Sequence, residues 1–172
     1  MKRVIFLALF FFFSSSFSVF ANSSYVLPYP STMPGSFFYK IHQAIEKIEQ
    51  YWYFGNFGQF TYNLEQSDKY LVEAKTLFEY KQYLLGYQAL EKSNTYFEQI
   101  PTYLERAEKE GKDISEKRAL LAQAAKKHRE VLEKMRKETP ARFIWVAEKS
   151  LPVSLDIYPL IEKSNNIRFK SL

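Results

Sequence analysis

The chain has 172 residues and a formal net charge of +5, from 24 Lys and Arg against 19 Asp and Glu, with two histidines and no cysteine. Without cysteine there is no disulfide, no thiol nucleophile and no thiolate metal ligand, so stability must come from apolar packing. Its 16 Phe and 13 Tyr supply large burial per side chain.

The first segment reads as a secretory signal peptide over residues 1–21. Lys2 and Arg3 form a positive start, Val4 to Phe13 is an uncharged apolar run, and Ser14 to Ser16 and Ser18 interrupt it. Val19-Phe20-Ala21 then offers small residues where a signal peptidase reads, which puts the cut before Asn22. The apolar run is short of the roughly 20 residues a bilayer span needs. The expected location is therefore extracytoplasmic: secreted, periplasmic or at the cell surface. A membrane is a partner only if the signal peptide is retained as an anchor. Removal of Lys2 and Arg3 would take the formal charge from +5 to +3. Lysines and glutamates interleave along the rest, as in Glu105, Arg106, Glu108 and Lys109, which reads as solvated helix faces rather than a nucleic-acid stripe.

Residues 22–35 form a proline-rich extended arm. Pro28, Pro30 and Pro34 exclude helix there and leave Leu27 and Tyr29 free to pack on the bundle or to meet a partner groove. A helical domain is expected over 36–163. Ser36 caps a first helix through Phe37, Ile41, Ile45 and Ile48 to about Tyr53, and Gly55 and Gly58 end or restart it.

The next stripe is the clearest: Phe57, Phe60, Leu64, Ser67, Leu71, Ala74 and Phe78 recur at steps of three and four. After a break near Tyr80 and Lys81 it resumes as Gly86, Leu90, Ser93, Phe97, Ile100, Leu104 and Ala107. Small Gly86 and Ser93 opposite large residues predict two closely packed antiparallel helices. Pro101 should kink or restart the second of them.

Gly111, with Asp113 or Ser115 as cap, opens a long helix through Ile114, Leu121, Ala125, His128, Leu132 and Met135, ending before Thr139-Pro140. Two short helices are expected to follow, one through Phe143, Ile144, Val146 and Ala147, the other after Pro152 through Leu155, Tyr158 and Ile161. No strand is expected, and residues 164–172 read as a polar flexible tail. The fold class is all-α: antiparallel helical hairpins forming a bundle.

Leu27-Pro28-Tyr29-Pro30, Met33-Pro34-Gly35-Ser36 and Phe38-Tyr39-Lys40, followed by the Phe57 helix with Asp68-Lys69 and Glu73-Ala74, resemble an exported bacterial family, domain of unknown function family 5667. The resemblance covers about Tyr25 to Trp145, with Ser31 and Phe37 standing where the family favours glycine and proline. It implies export and an all-helical domain, and it implies no enzyme activity. Locally, Tyr80, Ala89 and Pro101 are similar in placement to a tetratricopeptide unit, which implies a helix-turn-helix of that shape and nothing about a ligand.

Catalytic chemistry has little to draw on. A Ser-His-Asp arrangement must use His42 or His128 with Asp68, Asp113 or Asp156, and no Gly-x-Ser-x-Gly elbow occurs. Clustered zinc-ligand spacings are missing, and no metal or cofactor is expected. Glu91, Glu105 and Glu133 sit beside Lys or Arg, Glu65, Glu73 and Glu98 lie in the same helical runs, and all six read as surface positions; cleavage of peptidoglycan would need two carboxylates roughly 5 to 9 Å apart in a cleft. The most unusual feature is Tyr51-Trp52-Tyr53-Phe54, followed by Phe57 and Phe60. One reading packs these aromatics into the core at a helix turn; the other makes Tyr51, Trp52, Tyr53 and Phe54, with Tyr29 of the arm, a partner-binding surface. The expectation is a non-enzymatic interaction or structural module of a bacterial envelope, whose partner is another envelope protein or a second copy and not nucleic acid. The alternative is an envelope hydrolase or accessory factor acting on peptidoglycan.

Overall fold

The computed structural model describes residues 24–30, 41, 44–46, 48–149 and 151–171. The expected signal peptide and the Ser36 cap lie outside them. Four helices dominate: α1 (Gly55–Glu79), α2 (Tyr83–Lys109), α3 (Ser115–Glu138) and α4 (Ile157–Phe169). Between α3 and α4 lies an antiparallel pair, β1 (Arg142–Trp145) and β2 (Val153–Asp156). The protein is a bundle of helical hairpins, and among the described residues no helix is long and apolar enough to cross a membrane.

The α1–α2 hairpin follows the sequence stripes closely. Every residue of the second stripe, from Gly86 to Ala107, is buried, and α2 runs unbroken through Pro101 rather than restarting there. Gly86 lets the helices close, because a Cβ there would come within 3.0 Å of the Phe78 ring. The helix-turn-helix expected around Tyr80 is present, but helices of 25 and 27 residues are longer than one repeat of about 34 residues can hold.

The turn ends α1 as a Schellman motif. Lys81 N–H donates to Phe78 O at 2.9 Å and Gln82 N–H to Leu77 O at 2.8 Å, with Lys81 itself at φ 60°. Gly111, at φ 78°, ends α2 in the same way, with Lys112 N–H donating to Ala107 O at 3.1 Å. Asp113 then accepts from the Ser115 N–H at 2.9 Å just ahead of α3, whose N-cap is Ile114 rather than the expected Asp113 or Ser115.

Two expectations fail beyond α3. The helix expected through Phe143 to Ala147 is instead β1, and Leu155 lies in β2, with Phe143 opposite Leu155 and Trp145 opposite Val153. Phe143 and Trp145 alternate inward while Ile144 faces out, a period-two pattern only four residues long. Phe143 packs 4.6 Å from the Tyr83 ring. The expected flexible tail from Ser164 is the end of α4: Ser164, Ile167 and Arg168 are buried on the same face as Ile157, Leu160 and Ile161.

The apolar interior forms two clusters. One gathers Leu71, Phe78, Leu90, Leu132, Ile157 and Ile161; the other gathers Phe60, Leu64, Phe97, Ile100, Leu121 and Ile167. Each helix buries polar residues at or next to the boundary of the clusters: Ser67 and Asp68 in α1, Ser93 and Asn94 in α2, His128 in α3, and Ser164 and Arg168 in α4. The arm crosses this boundary. Tyr25 packs on the second cluster and Leu27 on the first, while Val26 between them faces solvent, as an extended strap requires.

Candidate functional site

Two features stand out, one inside the bundle and one on its surface. The inner one is the polar layer. Asp68 Oδ1 lies 2.6 Å from His128 Nε2, and its Oδ2 accepts from the Tyr25 hydroxyl at 2.5 Å. On the other side of the imidazole, Arg168 Nε donates to His128 Nδ1 at 3.3 Å. Since Nδ1 accepts, the proton of this hydrogen-bond network sits on Nε2 and His128 is neutral. Burial pulls the imidazole below its ordinary value, against the pull of the Asp68 hydrogen bond, and the nearby Arg168 charge lowers it further.

Arg168 is fully buried, and four of its hydrogen bonds are accounted for. Besides His128 it donates to Asn94 Oδ1, to Ser93 Oγ at 2.7 Å and to Ser164 O at 3.3 Å. Its guanidinium also lies 4.8 Å from the centre of the Phe97 ring. Burial lowers it below the ordinary arginine range, to about 9, while Asp68 and Glu98 hold it up, so it stays charged at neutral pH. Ser67 and Ser93 exchange hydroxyl-to-carbonyl hydrogen bonds across α1 and α2, at 3.1 and 2.8 Å. The layer thus buries one anion and one cation with a neutral imidazole between them, each held by several partners, which is the condition under which buried charge is tolerated.

The surface feature is the aromatic turn. Tyr51, Trp52 and Phe54 are 75, 70 and 83% exposed, whereas Phe57 is half-buried and Phe60 fully buried. The core-packing reading therefore holds for Phe60 and in part for Phe57 and Tyr53, and fails for Tyr51, Trp52 and Phe54. Tyr53 is half-buried and its hydroxyl donates to Glu65 at 2.8 Å. Tyr29 of the arm is 95% exposed. The arm and the turn lie in different segments, and among the described residues no ring contact joins Tyr29 to the others.

α1 fixes the turn from below. Gln59 Nε2 donates to Tyr53 O at 2.8 Å and to Gln50 O at 3.2 Å. A Cβ at Gly58 would meet the Tyr53 carbonyl carbon at 2.7 Å, so only glycine permits the approach. A tyrosine ladder continues inward: Tyr53 to Tyr62 at 5.4 Å, Tyr62 to Tyr96 at 6.0 Å, and Tyr96 stacked on Tyr70 at 5.7 Å.

Residues 41, 44–46 and 48–49 are helical, and the segment docks by its polar side. Glu46 accepts from Lys69 and from the Tyr70 hydroxyl, while its carbonyl accepts from the Tyr62 hydroxyl at 3.1 Å. Ile41, Ile45 and Ile48, on the helix expected here, are exposed and lead into the aromatic turn. Glu73, expected at the surface, is buried on α1 close enough to Lys69 to support its charge. Burial is the larger influence on that lysine and lowers it. Among the described residues no group of three or more His, Cys, Asp or Glu is placed to hold a metal.

Sequence reasoning placed His128 on a core stripe and counted Asp68 among three aspartates, yet did not join them. It missed Asn94, Ser164 and Arg168 altogether. A signal existed for the last two, since Ile157, Leu160, Ile161, Ser164, Ile167 and Arg168 follow the spacing of a single helix face.

Residues 31–142 match the family described as Domain of unknown function (DUF5667), which covers well over half of the chain. The protein belongs to this family. The DUF5667 match takes in the first three long helices, the aromatic turn and the Asp68–His128 pair, and it stops before β2 and α4, so Arg168 lies outside it. Leu27 to Pro30 precede it. No curated protein and no solved structure matches the chain.

Proposed function

We propose that this DUF5667 protein is exported and works as a non-enzymatic interaction or structural module of the bacterial cell envelope, meeting its partner through the aromatic turn. The observation that carries the reading is the exposure of Tyr51, Trp52 and Phe54 in a turn held rigid by Gly58, Gln59 and the Tyr53–Glu65 bond. Large aromatic side chains on a fixed backbone lose little entropy on binding and are the common anchors of protein interfaces. The exposed Ile41, Ile45 and Ile48 extend the apolar surface beyond what an isolated hydrophobic side chain would present. Tyr29 on the arm offers a second contact, separate from the turn.

Export rests on the sequence of residues 1–21, and the partner is an envelope protein or a second copy. The test is photocrosslinking in the native host with a photoreactive phenylalanine analogue at Trp52, and again at exposed Lys137 as the control. One dominant envelope protein, or a dimer of this chain, crosslinked from position 52 and not from 137, with the N-terminus at Asn22, supports the proposal. Equal products from both positions, or breakdown of added cell-wall material without a protein adduct, would overturn it.

A further inference from the structure

The Asp68 carboxylate is shared in an unusual way: each oxygen serves a different end of the chain. Oδ2 takes the hydroxyl of Tyr25, in the strap of residues 24–30, and Oδ1 takes His128, which in turn holds Arg168 near the end of α4. All four groups lie in or against the same buried layer, with Asp68, His128 and Arg168 at most 4% exposed. Burial and the Asp68 charge push the Tyr25 phenol far up, so it keeps the proton it donates.

We infer that the N-terminal strap and the C-terminal helix are coupled through this carboxylate, so that loosening the strap loosens α4. The three hydrogen bonds that link Tyr25 to Arg168 all point toward Asp68: Tyr25 and His128 donate to it directly, and Arg168 donates to His128. Hydrogen bonds arranged in series polarise one another in a low-dielectric interior, so the strength of one depends on the others. A parallel apolar route exists as well, since the Tyr25 ring packs on the cluster that contains Ile167. The strap has one other anchor, Leu27, while Val26 and Tyr29 face solvent. A force on the exposed part of the strap, or a change in the chain just ahead of Tyr25, is thus transmitted to the opposite end of the sequence. The inference does not depend on what the aromatic turn binds.

Hydrogen exchange on the full chain tests it. Tyr25→Phe keeps the ring and removes the hydroxyl. The expected result is roughly tenfold faster exchange at the helical amides of residues 160–169, as loss of a hydrogen bond to a charged group predicts, with amides of the α1–α2 turn at 77–86 unchanged. Tyr29→Ala, on the same strap but without a core contact, should leave 160–169 as in the parent. No acceleration at 160–169, or acceleration spread evenly over 77–86 as well, would overturn the coupling. Should Tyr25→Phe fail to fold by circular dichroism, Tyr25→Trp, which keeps a ring and a displaced N–H donor toward Asp68, takes its place in the same comparison.

Discussion

His128 is the residue whose chemistry is most constrained by its surroundings. It is fully buried, donates to Asp68 and accepts from Arg168, so a second proton would convert its Nδ1 from acceptor to donor against the Arg168 N–H. Its folded-state value therefore lies below the ordinary 6.5, through burial first and Arg168 next, with Asp68 opposing both. The unfolded chain takes up the proton near 6.5 while the folded chain does not. Stability is then complete above that pH and falls as the pH drops below it, down to the lower folded-state value. Its steepest contribution is about 1.4 kcal/mol per pH unit. Urea midpoints of the parent and of His128→Gln, compared between pH 7.5 and 5, should show this slope only in the parent. Parallel curves would mean that His128 is protonated as readily folded as unfolded. The sequence made the histidine visible as a member of the α3 stripe, but its partners are 60 residues earlier and 40 residues later, and helix periodicity carries no information about which stripes meet.

At the scale of elements, the sequence was most legible where one face is buried over many turns. α1, α2 and α3 repeat an apolar spacing over 24 residues or more, and their buried faces are the ones expected. The hairpin of β1 and β2 has four residues per strand, too few for alternation to stand out against a helical reading, and proline at positions 140 and 152 favours extended chain just before each. The segment around Ile45 is helical as expected, yet its apolar side is not what docks it. Its apolar stripe is genuine, but the Glu46–Lys69 pair and the tyrosine hydroxyls hold the opposite side against the bundle. Turn chemistry gives a prediction at this scale. The two Schellman turns are alike in hydrogen bonding but one carries Lys81 and the other Gly111 at positive φ. A side chain in that region costs about 1 kcal/mol. Lys81→Gly should raise stability by roughly that amount and Gly111→Ala should lower it by a similar amount, both read from thermal or urea unfolding. A neutral Lys81→Gly would show that contacts of the lysine side chain offset the backbone strain.

Across the whole molecule, the buried polar layer and the exposed aromatic turn invert the usual distribution of residue types. Charge and amide groups occupy the middle of the bundle, while Trp52 and Phe54 sit outside. The first inversion is consistent with register: each of four helices places polar residues at one level, and a slip of any helix would break hydrogen bonds of buried Asp68 or Arg168, a penalty of several kcal/mol. The second brings no comparable gain to folding, since Tyr51, Trp52 and Phe54 bury little of their surface. That difference separates folding from binding experimentally. Trp52→Ser combined with Phe54→Ser should change unfolding free energy by no more than about 0.5 kcal/mol, as expected for exposed positions, while abolishing crosslinks to the partner from a probe placed at Tyr51. Loss of stability by several kcal/mol would instead make the turn a structural clamp on the segment of Ile41 to Ile48, with its exposed rings shielding the bundle rather than recruiting a partner. Retained stability with retained crosslinking would move the contact to the arm and Tyr29, which the same probe at position 29 would then report.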